Sequence, residues 1–126
     1  MVISAKGIDG ILVLNMALDK LLPLIDGLYD KVQLAHEEDE GDIVTVADFT
    51  LNGTTVITGV SNDGKTIGKL DFTSDRVVLR SGDRAWRLGD KPNGMKFNDD
   101  CQWYEHDGVI ANIDTDGRIC SFLVGY

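Results

Sequence analysis

At Ile43 the apolar residues of this chain stop recurring every three or four positions and begin to alternate. From there to the end, turn-forming pairs punctuate the alternation: Asn52-Gly53, Asn62-Asp63-Gly64, Gly82-Asp83, Asp107-Gly108 and Asp116-Gly117. Alternation bounded by such pairs is the pattern of antiparallel hairpins, because the side-chain period of a strand is two and tight turns need residues that tolerate positive φ. The Asn52-Gly53 turn is expected to oppose Phe49 to Val56, placing Ile43, Ala47, Phe49, Leu51, Val56 and Val60 on one face. A three-residue loop at Asn62-Asp63-Gly64 would pair Val56 with Leu70 and keep Phe72 on that face; a two-residue loop would put Lys69 and Asp71 there instead. Gly82-Asp83 suits a type II′ turn that aligns Val77, Leu79, Trp86 and Leu88. The last two turns close a three-stranded meander with an inner face of Tyr104, Val109, Ala111, Ile113, Cys120, Phe122 and Val124. Gly89 to Asp100, with Pro92-Asn93-Gly94, is the longest loop.

The N-terminal third reads differently. Leu18, Leu21, Leu22, Ile25, Leu28, Tyr29 and Val32 follow the spacing of a helix stripe. Asp19 stands where an N-cap belongs, and Pro23 falls in the first turn, where its missing N–H costs little. Ile8 to Leu14 fits either an earlier helix or a strand. The acidic run from Glu37 to Asp42 would oppose the macrodipole at a helix C-terminus, so it is expected to end the helix and form a loop. The expected fold is α+β in a single domain, 1–126. A helical segment (1–36) and an acidic loop (37–42) precede an antiparallel β-meander of about eight short strands (43–126). The helix would pack on a curled sheet, small sandwich or barrel.

The chain has 126 residues, 43% of them apolar, which suffices for one core. Two cysteines, Cys101 and Cys120, are too few for a disulfide scaffold. The apolar N-terminus lacks the parts of a signal peptide, and its longest uncharged stretch, Gly10 to Leu18, is far short of the ~20 residues that span a membrane. A cytoplasmic protein with reduced thiols is expected.

Net charge is −9, and it is unevenly spread: residues 1–50 carry −7, residues 51–98 carry +3 and residues 99–126 carry −5. The overall sign disfavours direct nucleic-acid binding, which depends on neutralising phosphates. Three surfaces stand out. Glu37, Glu38, Asp39, Glu40 and Asp42 form a dense negative field, suited to steering a basic partner or simply to solvation. Arg76, Arg80 and Arg87 would project from the face opposite Trp86, where guanidinium forks could take phosphate or carboxylate, or pair with Asp71, Asp75, Asp83 or Asp90. Trp103, Ile110, Ile119 and Leu123 fall on the outer face of the last meander, to be covered by the helix or by a second copy of the chain.

Other chemistries lack their parts. Asp114-Thr115-Asp116-Gly117 opens like a calcium loop, but Ile119 and Gly125 occupy the positions that need Gly and a bidentate Glu, so a hairpin turn is expected. Cys101, His106 and Cys120 lack the Cys-x-x-Cys element of structural zinc. His36 and His106 adjoin no nucleophile motif, and a carboxylate pair such as Asp100 with Glu105 arises readily by chance in so acidic a chain. No cofactor is expected. The leading expectation is a non-enzymatic protein that blocks a basic partner with its acidic face. In physical type it is akin to toxin-neutralising immunity proteins and virus-encoded inhibitors of defence complexes. The alternatives are a small-ligand binder holding an anionic metabolite or nucleotide on the arginine face, and a self-assembling homodimer or structural protein.

Overall fold

The computed structural model describes residues 2–8, 12–17, 31–39, 42–51, 54–63, 65–73 and 77–126. Among them there is no helix. Thirteen strands follow one another: β1 (Val2–Ile3), β2 (Gly7–Ile8), β3 (Leu12–Val13), β4 (Lys31–Asp39), β5 (Asp42–Leu51), β6 (Thr54–Ser61), β7 (Lys69–Phe72), β8 (Val78–Ser81), β9 (Arg84–Arg87), β10 (Lys96–Asn98), β11 (Trp103–His106), β12 (Val109–Ile113) and β13 (Ile119–Val124). The α+β expectation is therefore corrected to all-β. Most of the helix stripe, residues 18–30, lies outside the described residues. Its last member, Val32, is in β4, and β4 carries the expected helix end and the first three acids of the expected loop. Lys31 to Leu34 also alternates polar and apolar residues, a pattern a strand satisfies, and nine register pairs between β4 and β5 hold the segment there. For Ile8 to Leu14 the strand alternative applies: Gly7 pairs with Val13 and Ile8 with Leu12.

Eight strands form one sheet in the order β10-β11-β12-β13-β7-β6-β5-β4. It consists of two antiparallel meanders joined where β13 pairs with β7. Between them the chain leaves the sheet to make β8 and β9, which with β1 form a three-stranded sheet; β1 runs parallel to β8. One cross-sheet row of the large sheet is apolar throughout: Val32, Phe49, Ile57, Phe72, Phe122, Ala111, Tyr104 and Phe97 stand in register. Ile57, Phe72, Ala111 and Phe122 from this row are fully buried against Ile3, Leu79, Trp86, Ile67 and Met95, which belong to the smaller sheet and the connecting loops. The next row is mixed: Lys96, Glu105, Ile110, Leu123, Asp71, Thr58, Asp48 and Gln33. Burial of those four first-row residues supplies stabilisation, and strand alternation puts the second row on the opposite face.

The turn chemistry gives the hairpin registers where no bulge intervenes. Gly82 has φ +59° while Asp83 keeps negative φ, the type II′ geometry, and Leu79 faces Trp86 across the hairpin. Asp107 and Gly108 both have positive φ, and His106 pairs with Val109. Two bulges overturn other expectations. One between Phe49 and Thr50 pairs Phe49 with Ile57 rather than Val56, so Ile57 enters the core and Val60 faces the other way beside Val46. The other, between Asn112 and Ile113, pairs Ile113 with Ile119. Cys120 is thereby exposed and Ile119 buried, the reverse of the expected inner face. The connection after β6 is also longer than three residues: Gly59, not Val56, pairs with Leu70. The extra length lets Thr66 bridge Ala17 and Ile67 hydrogen-bond to Asn15 and Met16. Leu70 and Phe72 still face the core, as expected.

Candidate functional site

The acidic run sits on a hairpin rather than a loop. β4 and β5 remain paired for three rungs past Thr45, the last β5 residue with a β6 partner: Glu37 with Val44, Glu38 with Ile43 and Asp39 with Asp42. Glu40 lies outside the described residues. At the base of this ribbon, exposed His36 places Nδ1 3.2 Å from the Thr45 hydroxyl. Four of the five acids are thus brought to the end of a two-stranded extension of the sheet.

Of the three arginines singled out by their strand positions, Arg76 lies outside the described residues. Arg80 and Arg87 are exposed, on the face opposite Trp86. Neither forms an ion pair among the described residues; Asp90 instead accepts from the Arg87 backbone N–H at 2.8 Å.

The fold assembles a different cationic set. Arg84 and Trp86 on β9, Asp90, Lys91, Asn93 and Gly94 on the following loop, and Arg118 on the β12–β13 loop line an open cleft of about 610 Å³. The loop is stapled in place. Gly89 N–H donates to the Ile119 carbonyl and Ile119 N–H to the Asp90 carbonyl, each at 2.8 Å. The Trp86 indole N–H donates to the Asn93 carbonyl at 2.9 Å, and its ring packs 4.9 Å from that of His106. Arg118 Nη1 donates to the Gly89 carbonyl at 2.9 Å and Arg84 Nη1 to the Gly94 carbonyl at 3.4 Å. Nothing in strand periodicity points to this set, since Arg118 arrives from a loop distant in sequence. The one sequence signal was Pro92-Asn93-Gly94 in the longest loop.

The outer-face residues do not form an exposed patch. Ile110, Ile119 and Leu123 are buried within the chain, Ile119 on the core side. Trp103 is half-buried and donates its indole N–H to Glu105 Oε1 at 2.7 Å. That bond, together with one from Asn98 Nδ2 at 3.1 Å, holds the Glu105 carboxyl below its usual range. A carboxyl kept ionised in this way is poorly suited to donate a proton. Asp114 caps its own turn, accepting from the backbone N–H groups of Asp116 and Arg118, so the Asp114-Thr115-Asp116-Gly117 segment is a hairpin turn. His106 Nε2 lies 3.1 Å from Asp107 Oδ2 without a well-aligned hydrogen bond. Among the described residues no three His, Cys, Asp or Glu side chains gather to hold a metal ion, and no helix is long and apolar enough to cross a membrane.

No protein-family model matches the chain, and no curated protein does. Among solved structures it is similar to the crystal structure of the uncharacterized protein yfeY from Escherichia coli. The TM-score is 0.69 at 12% identity, over 98% of this chain and 99% of that one. At such low identity the likeness concerns the fold alone.

Proposed function

We propose that the protein is a non-enzymatic binding protein that occupies a basic surface of another protein with the acidic end of its β4–β5 ribbon. One observation carries the reading: Glu37, Glu38, Asp39 and Asp42 lie on the three rungs that run past the last β6 pairing, so their charge is concentrated at one end of the sheet. Carboxylates concentrated on a rigid element create a field that accelerates encounter with a positive partner and repels nucleic acid. In this reading the protein acts in the cytoplasm as an inhibitor of the immunity or anti-defence kind, covering a basic active site or groove. Self-assembly is the weaker reading, because three of its four candidate residues are buried in the chain itself.

The test compares the wild type with a variant in which Glu37, Glu38 and Glu40 become Gln and Asp39 and Asp42 become Asn. Each is immobilised, exposed to native host lysate and followed by mass spectrometry. The reading requires a basic protein retained by the wild type alone, whose purified form associates more slowly as salt rises. A partner retained equally by both proteins, with salt-independent association, refutes it.

A further inference from the structure

The geometry points to a second binding site, independent of the acidic ribbon: the cleft between β9 and the 90–94 loop takes a compact polyanion bearing two oxyanion groups, of the diphosphate or dicarboxylate kind. Three cationic side chains, Arg84, Lys91 and Arg118, converge there from three separate stretches of chain. On a protein of net charge −9 such a gathering stands against the general field. Among the described residues none of the three has a carboxylate partner within ion-pair distance. Asp90 is the one acid lining the cleft among the described residues, and one of its oxygens already accepts from the Arg87 backbone N–H.

The two guanidiniums are exposed, and each is tethered at one end. Each gives one N–H to a backbone carbonyl, Arg118 to Gly89 and Arg84 to Gly94. A guanidinium has five N–H donors in a planar fork, so a single tether orients the plane and leaves donors for a ligand. Gly94 makes the Arg84 position available. Its φ is +88°, and a Cβ there would collide with the Arg84 guanidinium. The cleft volume, about 610 Å³, lies within the range of small-molecule sites. Two oriented forks with an ammonium between them in sequence match a ligand with two anionic groups better than a single anion, because each fork can be used by a separate group.

The test is a thermal-shift and calorimetric titration of the full chain with inorganic pyrophosphate, with succinate and with inorganic phosphate, each against sodium chloride at equal ionic strength. Pyrophosphate or succinate should raise Tm saturably, more strongly than inorganic phosphate; the stronger of the two identifies a phosphoryl or a carboxylate ligand. Arg118→Gln and Arg84→Gln should each weaken binding by about tenfold. Arg84→Lys, which keeps the charge without the fork, should fall between Arg84→Gln and wild type. Arg80→Gln, outside the cleft, should bind as wild type does. Circular dichroism confirms that each variant is folded. The site is refuted if neither dianion gives a saturable response up to ~10 mM, where mass action would reveal even a weak site. It is equally refuted if Arg80→Gln weakens binding as much as Arg118→Gln.

Discussion

Trp86 lies directly across the β8–β9 hairpin from Leu79 and donates its indole N–H to the carbonyl of Asn93, 2.9 Å away. The residue therefore does two things: its ring closes the core between the small and large sheets, and its N–H fixes the loop that forms one wall of the basic cleft. Trp86 is 4% exposed. Trp86→Ala should cost about 3–5 kcal/mol in chemical denaturation, through lost burial and the cavity left behind. Trp86→Phe retains most of the apolar contact but leaves Asn93 without its donor, and should cost about 1–2 kcal/mol. If Trp86→Phe is as stable as the wild type, the hydrogen bond contributes nothing and the loop is held by its other staples.

This hairpin was legible in the sequence because its information is local. Gly82-Asp83 specifies a turn type, the turn specifies the register, and alternation then places Leu79 and Trp86 together. The same reasoning located Tyr104, Val109, Ala111, Phe122 and Val124 on the inner face. It failed where one extra residue enters a strand, because a bulge at Phe49/Thr50 or Asn112/Ile113 leaves no mark on the alternation until the partner strand is known. It failed also at Lys31 to His36, where Val32 completes the helix stripe and equally begins an alternation with Leu34, and the nine pairs with β5 decide. The acidic candidates were visible as composition, although their setting was not. The basic cleft was invisible for a different reason: Arg118 joins Arg84 and Lys91 through contacts between segments distant in sequence, among them the backbone bonds joining Gly89 and Asp90 to Ile119.

Asp39 and Asp42 stand directly opposite each other in the β4–β5 register. Like charges at facing positions of an antiparallel pair destabilise it, by roughly 0.2–1 kcal/mol. The double variant Asp39→Asn, Asp42→Asn should accordingly melt slightly higher than wild type at low salt. At 1 M salt, where the screening length falls to about 3 Å, the difference should vanish. A salt-independent difference would mean that the carboxylates act through something other than their mutual repulsion.

Asp71 occupies the mixed row of the large sheet, flanked in register by Thr58 on β6 and Leu123 on β13. Its Oδ1 is buried with no hydrogen-bond partner among the described residues, and burial pushes its carboxyl up from the ordinary value. A group with a raised folded-state value contributes stability below the unfolded value and loses it as pH rises through the folded one. At neutral pH Asp71 is thus a cost, of at most about 1 kcal/mol because the residue keeps partial contact with water. Asp71→Asn should raise Tm at pH 7, and the advantage should shrink on acidification towards pH ~4, the usual aspartate range. An advantage that is constant with pH would assign the effect to packing instead of charge.

Asp63 shows the opposite sign. Its Oδ1 accepts from the Lys65 N–H at 2.8 Å, the Thr66 N–H at 2.9 Å and the Ser61 hydroxyl at 3.0 Å, and its Oδ2 accepts from the Thr66 hydroxyl at 3.0 Å. These bonds, led by the two backbone N–H groups of Thr66 and Lys65, hold the carboxyl far below its usual range. They also shape the connection from which Thr66 bridges Ala17 and Ile67 reaches Asn15 and Met16, so the carboxylate anchors the N-terminal segment to the sheet. A depressed folded-state value contributes stability that is complete above the unfolded value, near pH ~4, and is lost as pH falls from there through the folded one. Asp63→Ala should therefore lower Tm at pH 7, and its deficit relative to wild type should shrink only below pH ~4, as the wild-type carboxylate begins to lose its advantage. Asp63→Asn keeps an acceptor oxygen without the charge. It should be intermediate at pH 7, and its own stability should lack the acid-side decline that Asp63 contributes. Thermal melts of the three proteins from pH 7 down through the carboxylate range check the assignment. Parallel curves would show that the Asp63 side chain shapes the loop without its charge being involved.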